Sequence, residues 1–584
     1  MTVQTPSGEI APGSAGLGPV LQRRKPWMSL PVFVLAATLL VLILPPVIFL
    51  VRASLFTTTA DGSFDQFTLK YFQQLFASRH FAGSLWNTFV YSTGSAVVAI
   101  FIGLVQAVIV ERTNAPLRQY VFLGSIISLG IPHVLQTVGW LLLLGKAGPV
   151  NDLIRAVSGG YFTGINVYSM WGMILVEGIS FAPLTFLLLS AVLRATDSTF
   201  EEAAMASGAR PVKTFLTVTL PLALPGILAL LLLIFIRAFE SFEVPALVGL
   251  AGNLTVLTTH IYQSAKGVGP AEFGETGAYS VCLLAIVMAL IIWYNRLSRH
   301  AHRFQTITGK GYRPRLINLG RWRWFATAIL VSIILFVIVL PIGMVVFASF
   351  QPFYSGLSME AFGRLTLENY QNVLGPGTFR DAIANTLIMG AGTATIVVPF
   401  TAICAWLAVR RWPGAWILDQ LATAPLVFPS IVLSVAFLNI FVSLPLALYG
   451  TLASVIIASA VRFLPYGMRY AYAGVLQIHP ELEDASASSG ALQSRTFWRI
   501  VVPLIMPALI SCWLFVFLVA SREVSLPLLL VGPGTEIVGV TLFELWQNGQ
   551  VTELAAMGVL WVILMTTIAI IFYAITRKYQ IQAH

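Results

Sequence analysis

Long apolar runs separated by short polar stretches occupy this chain from near its start to near its end. An apolar run of about 20 residues is long enough to cross a bilayer as a helix. Such runs fall at residues 27–52, 86–110, 120–144, 168–193, 222–248, 276–295, 324–350, 385–409, 417–443, 451–475, 503–530 and 554–576. They predict twelve transmembrane helices in an all-α integral membrane protein. Arg23-Arg24-Lys25 precedes the first run, as basic residues precede a secretory signal. Its apolar stretch is longer than the roughly 7–15 residues of such a signal, however, so it reads as a retained helix. Residues 1–26, rich in Gly, Pro, Ser and Thr, read as a disordered cytoplasmic tail.

Composition narrows the class. Hydrophobic residues make up 57% of the 584 and charged ones 10%, with a mean hydropathy of +0.84. Soluble domains carry about 25% charge, so this chain lacks the material for a solvated shell. Cys282, Cys404 and Cys512 lie far apart in apolar runs and form neither a disulfide framework nor a metal set. The seven histidines are scattered, with only His300 and His302 close together, so no metal site is expected.

The net charge of +10 resembles a nucleic-acid signature until the basic residues are placed. With the N-terminus inside, the cytoplasmic segments hold 22 Lys and Arg and the opposite side holds 7. By the positive-inside rule both termini are cytoplasmic. Eight of the 22 lie in 296–323, which has no acidic residue. That segment reads as a topological anchor facing anionic lipid, and no nucleic-acid partner is expected.

The loop after the fourth run returns after the tenth. Glu201-Glu202-Ala203-Ala204-Met205-Ala206-Ser207-Gly208-Ala209 corresponds to Glu483-Asp484-Ala485-Ser486-Ala487-Ser488-Ser489-Gly490-Ala491, 282 residues on. Ten of the 27 positions from Glu201 to Ile227 are identical, including Thr214-Phe215, Pro221 and Pro225. Asn87-Thr88 at the second run likewise matches Asn385-Thr386 at the eighth. The chain therefore divides into 27–295 and 324–584, joined by a basic cytoplasmic linker at 296–323. Six spans in each half give both halves the same orientation, so the repeat is parallel. About fifteen extra residues around 145–167 form an insertion in the first half, with no role assigned.

The repeated loop reads as a short helix. Asp197 can cap it, or Ser198 and Glu201 can form a capping box; Pro480 suits the first helical position in the second copy. Glu201 and Glu202 lie near the positive end of the helix dipole. Gly208 and Gly490 are placed to end it in a left-handed turn. Ala203 stacks on Ser207 and Ala204 on Gly208, four residues apart, as do Ala485 on Ser489 and Ser486 on Gly490. Small residues along one face allow close approach by another body, either the chain's own bundle or a partner.

Glu202-Ala203-Ala204, then Gly208, then Leu220-Pro221 resembles the EAA loop of permease subunits of binding-protein-dependent ABC importers. The likeness extends over 85–295 and again over 385–576. It implies two permease modules in one chain and two coupling helices, one for each of two copies of a cytoplasmic ABC ATPase. It also implies an extracytoplasmic substrate-binding protein and a bacterial inner-membrane location. The residues carried over as ATPase-coupling are Glu201, Glu202, Ala203, Ala204, Ser207 and Gly208, with Glu483, Asp484, Ala485, Ser486, Ser489 and Gly490. The second copy departs from the pattern, with Asp484-Ala485-Ser486 for Glu-Ala-Ala and Val502 before Pro503. The shorter acid reaches less far, so the two docking contacts are expected to be unequal. No G-x-x-x-x-G-K-[ST] stretch occurs; Gly145-Lys146 and Gly309-Lys310 lack the rest of it. The chain is expected to be no enzyme and to hold no cofactor, ATP being bound by the partner ATPase.

Charged residues inside spans are costly and mark candidate pathways. Arg237, Glu240 and Glu243 group on one side of the fifth span, and Arg522 and Glu523 sit in the eleventh. Glu177 and Arg462 stand alone in the fourth and tenth. Either these charges pair to hold helices together or they line a pathway; family likeness favours a pathway for those following the loop. Phe242-Glu-Val-Pro-Ala-Leu-Val-Gly249 and Ser521-Arg-Glu-Val-Ser525, with the fused layout, resemble ferric-iron permeases. Thiamine, polyamine and aminoalkylphosphonate permeases share parts of this pattern. An ion-gradient-driven secondary transporter is the alternative class.

Overall fold

The computed structural model describes residues 28–58, 64–162, 164–195, 198–266, 273–302, 316–375, 377–443 and 447–582. The N-terminal tail, Asp197 and the centre of the basic linker lie outside them. The first half contributes α1 (Leu30–Leu55), α2 (Arg79–Arg112), α3 (Arg118–Gly130), α4 (His133–Leu144), α5 (Met170–Ala195), α6 (Ser198–Ala206), α7 (Leu220–Phe239), α8 (Leu257–Lys266) and α9 (Phe273–His302). The second contributes α10 (Leu340–Ser349), α11 (Thr378–Val409), α12 (Trp416–Thr423), α13 (Ser430–Ser443), α14 (Leu452–Leu476), α15 (Glu481–Ser488), α16 (Val502–Ser521), α17 (Val538–Gln547) and α18 (Val551–Gln582). A short antiparallel hairpin, β1 (Phe56–Thr58) with β2 (Phe64–Phe67), follows α1.

Among the described residues nine helices are long and apolar enough to cross a membrane, and two further helix pairs are apolar enough only together. Those pairs, at 118–157 and 416–443, are each bent by 102°. The break has a local cause. A proline disfavours helical conformation in the residue before it. Ile131 before Pro132 and Phe428 before Pro429 are accordingly extended, with ψ of 131° and 117°. The straight third and ninth spans expected from hydropathy are thus angled in the structure. The expected tenth span corresponds to α14, of 25 residues. Arg462 and Arg469 dilute it, and it does not count among the nine.

The repeat in sequence is also a repeat in backbone. A five-residue π-helical turn precedes α7 (Phe215–Thr219) and α16 (Phe497–Val501), 282 residues apart. In each the amide after the turn reaches back five residues, Leu220 to Phe215 and Val502 to Phe497. Pro221 and Pro503 follow immediately. Lacking an N–H and crowding the carbonyl four residues back, proline favours such a widened turn. The Asn-Thr pairs have matching duties as well. Thr88 Oγ1 accepts from Leu257 N and Thr386 Oγ1 from Val538 N, both at 2.9 Å. Asn87 donates to Thr255 O, and Asn385 to Gly534 O and Glu536 O. Each pair pins the loop leading into α8 or α17.

The halves interlock. Besides its own half's α9, α1 packs on α12 and α13 of the second half, while α10 packs on α4 of the first. Ser29 N donates to Pro413 O at 3.1 Å, and the Tyr354 hydroxyl to Leu142 O at 2.7 Å. Leu319 and its neighbours also return to the first half: Ile317 N donates to Arg112 O at 2.8 Å. One hydrophobic core runs through both halves.

Backbone meets backbone across this interlock at Gly139 of α4, where an added Cβ would lie 2.4 Å from the Pro341 carbonyl oxygen. Backbone cannot yield as a side-chain tip can. Gly139→Ala is therefore expected to cost about 1–3 kcal/mol through overpacking. Gly83→Ala, where nothing lies within 4 Å, should be neutral. Thermal unfolding of the two variants in detergent checks the difference.

Candidate coupling loops and interior charged site

In both copies the loop forms the short helix expected of it. Gly208 and Gly490 adopt φ of +86° and +78°. This turn lets Ala209 N donate to Ala204 O at 3.0 Å and Ala491 N to Ser486 O at 3.2 Å, closing the helix end. Pro480 stands one position earlier than expected, at the N-cap, and its carbonyl accepts from Glu483 N and Asp484 N. Ser207 and Ser489 donate back to Ala203 O and Ala485 O. Ala203, Ala206, Ser207 and Gly208 are exposed, as are Asp484, Ala485, Ser489 and Gly490, whereas Ala204 and Ser486 are half-buried. A Cβ at either glycine would meet nothing within 4 Å. Each loop thus presents an open, small-residue surface.

The paired acids divide by position. Glu201 turns inward, 3.0 Å from Arg112 Nη2 at the end of α2. Glu483 makes the same turn toward Arg410 beyond α11, at 2.6 Å, and also accepts from the Trp406 indole at 3.0 Å. Each arginine donates in addition to a carbonyl at the end of the helix before the loop, Arg112 to Leu193 O and Arg410 to Ile478 O. Guanidinium suits this position because its planar fork serves a carboxylate and a carbonyl at once. Glu202 is half-buried and Asp484 exposed. Sequence reading missed these arginines and assigned them only to topology. Their signal was present: Arg112 and Arg410 differ by 298, the same spacing as Asn87 and Asn385.

At the ends of α7 and α16 farthest from the loops, a polar cavity of about 180 Å³ gathers Arg237, Glu240, Glu243, Arg522 and Glu523. Arg462 lines it too and lies 3.7 Å from Glu240, which also pairs with Arg237. Arg462, read as isolated, is therefore part of the cluster. So is Glu177's neighbourhood: fully buried, Glu177 faces the cavity residue His133 at 3.9 Å. Sequence distance concealed both meetings: Arg462 reaches Glu240 from α14 across the seam, and Glu177 on α5 faces His133 at the start of α4.

The two broken spans end at this cavity. Arg522 donates to Leu129 O at the end of α3, and Arg462 Nη1 to Phe428 O, 2.9 Å away, at the break before α13. A positive group at a helix C-terminus satisfies orphan carbonyls and complements the dipole. Glu243 accepts from Ser525 Oγ at 2.9 Å. These residues are 282 apart, the repeat's own spacing, and equivalent positions can touch only near the axis relating the halves. The cavity therefore lies on the seam. Among the described residues no three of His, Cys, Asp and Glu converge as metal ligands.

Residues 99–351 and 397–580 match the family described as the binding-protein-dependent transport system inner membrane component, and the chain belongs to that family. It is the permease subunit of an ABC importer, multi-pass in the inner membrane and not itself catalytic, with ATP bound by the partner ATPase. The ion-gradient alternative falls with that membership. The chain is similar to the ferric transport system permease protein FbpB of Actinobacillus pleuropneumoniae, 27% identical over 500 residues covering 83% of this chain and 70% of that one. It is 22% identical to the Fe(3+)-transport system permease protein FbpB 2 of Haemophilus influenzae, over 80% of this chain and 84% of that one. A protein named for 2-aminoethylphosphonate transport, PhnU of Salmonella typhimurium, is 27% identical over 45% of this chain and 88% of its own. A bacterial ABC transporter for alginate import superposes with a TM-score of 0.37 at 16% identity, over 44% of this chain and 96% of that one.

Breaking a largely buried ion pair by removing one partner leaves the other charge uncompensated. Arg410→Ala is expected to destabilise the protein by about 3 kcal/mol, and adding Glu483→Ala should restore part of that loss. A double-mutant cycle by thermal unfolding in detergent measures the coupling.

Proposed function

We propose that this chain is the translocation subunit of a ferric-iron importer, with two ATPase copies docking on the α6 and α15 loops. On this reading all twelve expected spans cross the membrane, the termini and both loops face the cytoplasm, and an extracytoplasmic binding protein delivers iron. The observation that carries it is the twinned loop. Each has an open small-residue surface and an inner acid tied by arginine to the second long helix of its own half. A push on either loop is then transmitted both into α7 or α16, which follow it, and into α2 or α11.

The seam cavity is where the two motions meet. As ATP binding draws the ATPase subunits together, the halves alternate between inward- and outward-open states, a population shift driven by the nucleotide. Parting the seam separates Glu243 from Ser525 and Arg522 from Leu129, and turns Glu240, Glu243 and Glu523 toward the opening. Three carboxylates suit a trivalent cation, and the similarity to ferric permeases over most of the chain supports that cargo. Arg237, Arg462 and Arg522 in the same cavity suit an anion instead. Together with the likeness to PhnU, they favour an aminoalkylphosphonate as the second reading.

In proteoliposomes with the partner ATPase, iron-loaded binding protein should support ATP-dependent iron uptake, and a 2-aminoethylphosphonate-loaded one should not. Glu202→Ala with Gly208→Val should lower uptake at least tenfold while the protein still inserts. Undiminished uptake in that variant would remove the docking assignment; uptake of the phosphonate alone would exchange the cargo.

A further inference from the structure

The two halves build the same cleft, and only one of them fills it. Between α2, α7 and α9 lies a cleft of about 920 Å³ whose walls include Trp86, Phe89, Leu231, Phe235, Leu290 and Trp293. In the second half α11, α16 and α18 meet in the corresponding way. There Trp513 occupies the space, stacked on Phe517 at 5.3 Å and on Phe572 at 5.4 Å, its indole donating to Thr395 Oγ1 at 3.1 Å.

The correspondence can be read position by position. At the 282 spacing Trp513 is replaced by Leu231, while Phe517 matches Phe235. At the 298 spacing Thr395 is replaced by Val97, which also lines the cleft and cannot accept the indole hydrogen bond. Ile570-Ile571-Phe572-Tyr573 matches Ile291-Ile292-Trp293-Tyr294, so Phe572 corresponds to Trp293. The first half thus lacks both the plug and its anchor. Trp86 and Trp293 are left 64% and 59% exposed.

An apolar void of this size forfeits the dispersion contacts of its whole lining, and its walls offer water few hydrogen bonds. Because α2, α7 and α9 are membrane helices, the cleft opens to hydrocarbon. A transmembrane helix about 10 Å across and about 30 Å long would need roughly 2,400 Å³, far more than is present. A single extended hydrocarbon chain suits the space. Trp86 lies near the start of α2 and Trp293 near the far end of α9, so the cleft runs along the helices. Arg296, exposed and about one turn beyond Trp293, supplies a cation at that end.

We infer that this cleft binds an acyl chain of an anionic phospholipid, with the phosphate at the Arg296 end. The lipid takes the place in the first half that Trp513 takes in the second, bracing α7, the helix that follows the coupling loop.

Native mass spectrometry of the full chain in mild detergent, incubated with phosphatidylglycerol, tests this. The wild type should retain one phosphatidylglycerol per chain. Leu231→Trp with Val97→Thr, which copies the second half's plug, should retain at least tenfold less. Trp513→Leu, which opens the second cleft, should raise the number from one to two. Arg296→Gln should weaken retention of phosphatidylglycerol but leave that of phosphatidylcholine unchanged. Retention by the plugged variant equal to wild type overturns the assignment, as does a wild type that holds no lipid, or a protein subunit found in place of lipid. Should the plugged variant fail to fold, the change from one to two in Trp513→Leu still decides, and a count unmoved by it overturns the proposal.

Discussion

A backbone carbonyl without a partner is among the costliest groups to leave in hydrocarbon, and this fold interrupts two of its spans in mid-course. The breaks fall at Pro132 and Pro429, and each exposes the end of a helical segment inside the molecule. Arg522 and Arg462 answer the two ends, at Leu129 and Phe428. A guanidinium so placed needs counter-charge, which Glu240 provides for Arg462. The cluster of charges at the seam therefore follows from the broken helices. Irregular backbone is tolerated at membrane depth only where it is buried in protein or lines a cavity, and here it does both.

The same residues join the two halves at their seam. Glu243 and Ser525 meet on the axis of the repeat, contributed by equivalent positions of the two halves. Away from the axis the halves are also joined by α1 on α12 and α13, and by α10 on α4.

The coupling loops show how a repeat can diverge without losing its frame. Glu201–Arg112 and Glu483–Arg410 are the conserved frame within the chain, each joining a loop to the end of a long helix. Around it the copies differ: Trp406 adds a donor to Glu483, and Ser486 bonds Thr496 where the first copy has Ala204. The second loop's outer acid, Asp484, is the shorter and more exposed one, which makes the two docking surfaces we propose unequal in reach.

The helical class, the parallel duplication and the glycine-ended loops were legible from the chain because each rests on local chemistry. Apolar run length, a fixed spacing of identical residues and the left-handed turn open to Gly208 and Gly490 require no knowledge of distant neighbours. The prolines that break two spans were equally visible, but hydropathy averages over such a break and counts a straight helix. What the sequence could not reveal was which distant charges meet. Arg462 and Glu177 have no ionic neighbour within their own spans, and only tertiary packing brings Arg462 beside Glu240 and Glu177 beside His133. That Glu201 and not Glu202 pairs with Arg112 was likewise undecidable from two adjacent acids. A helix rotates successive side chains by about 100°, and tertiary contact alone selects which of them faces the bundle.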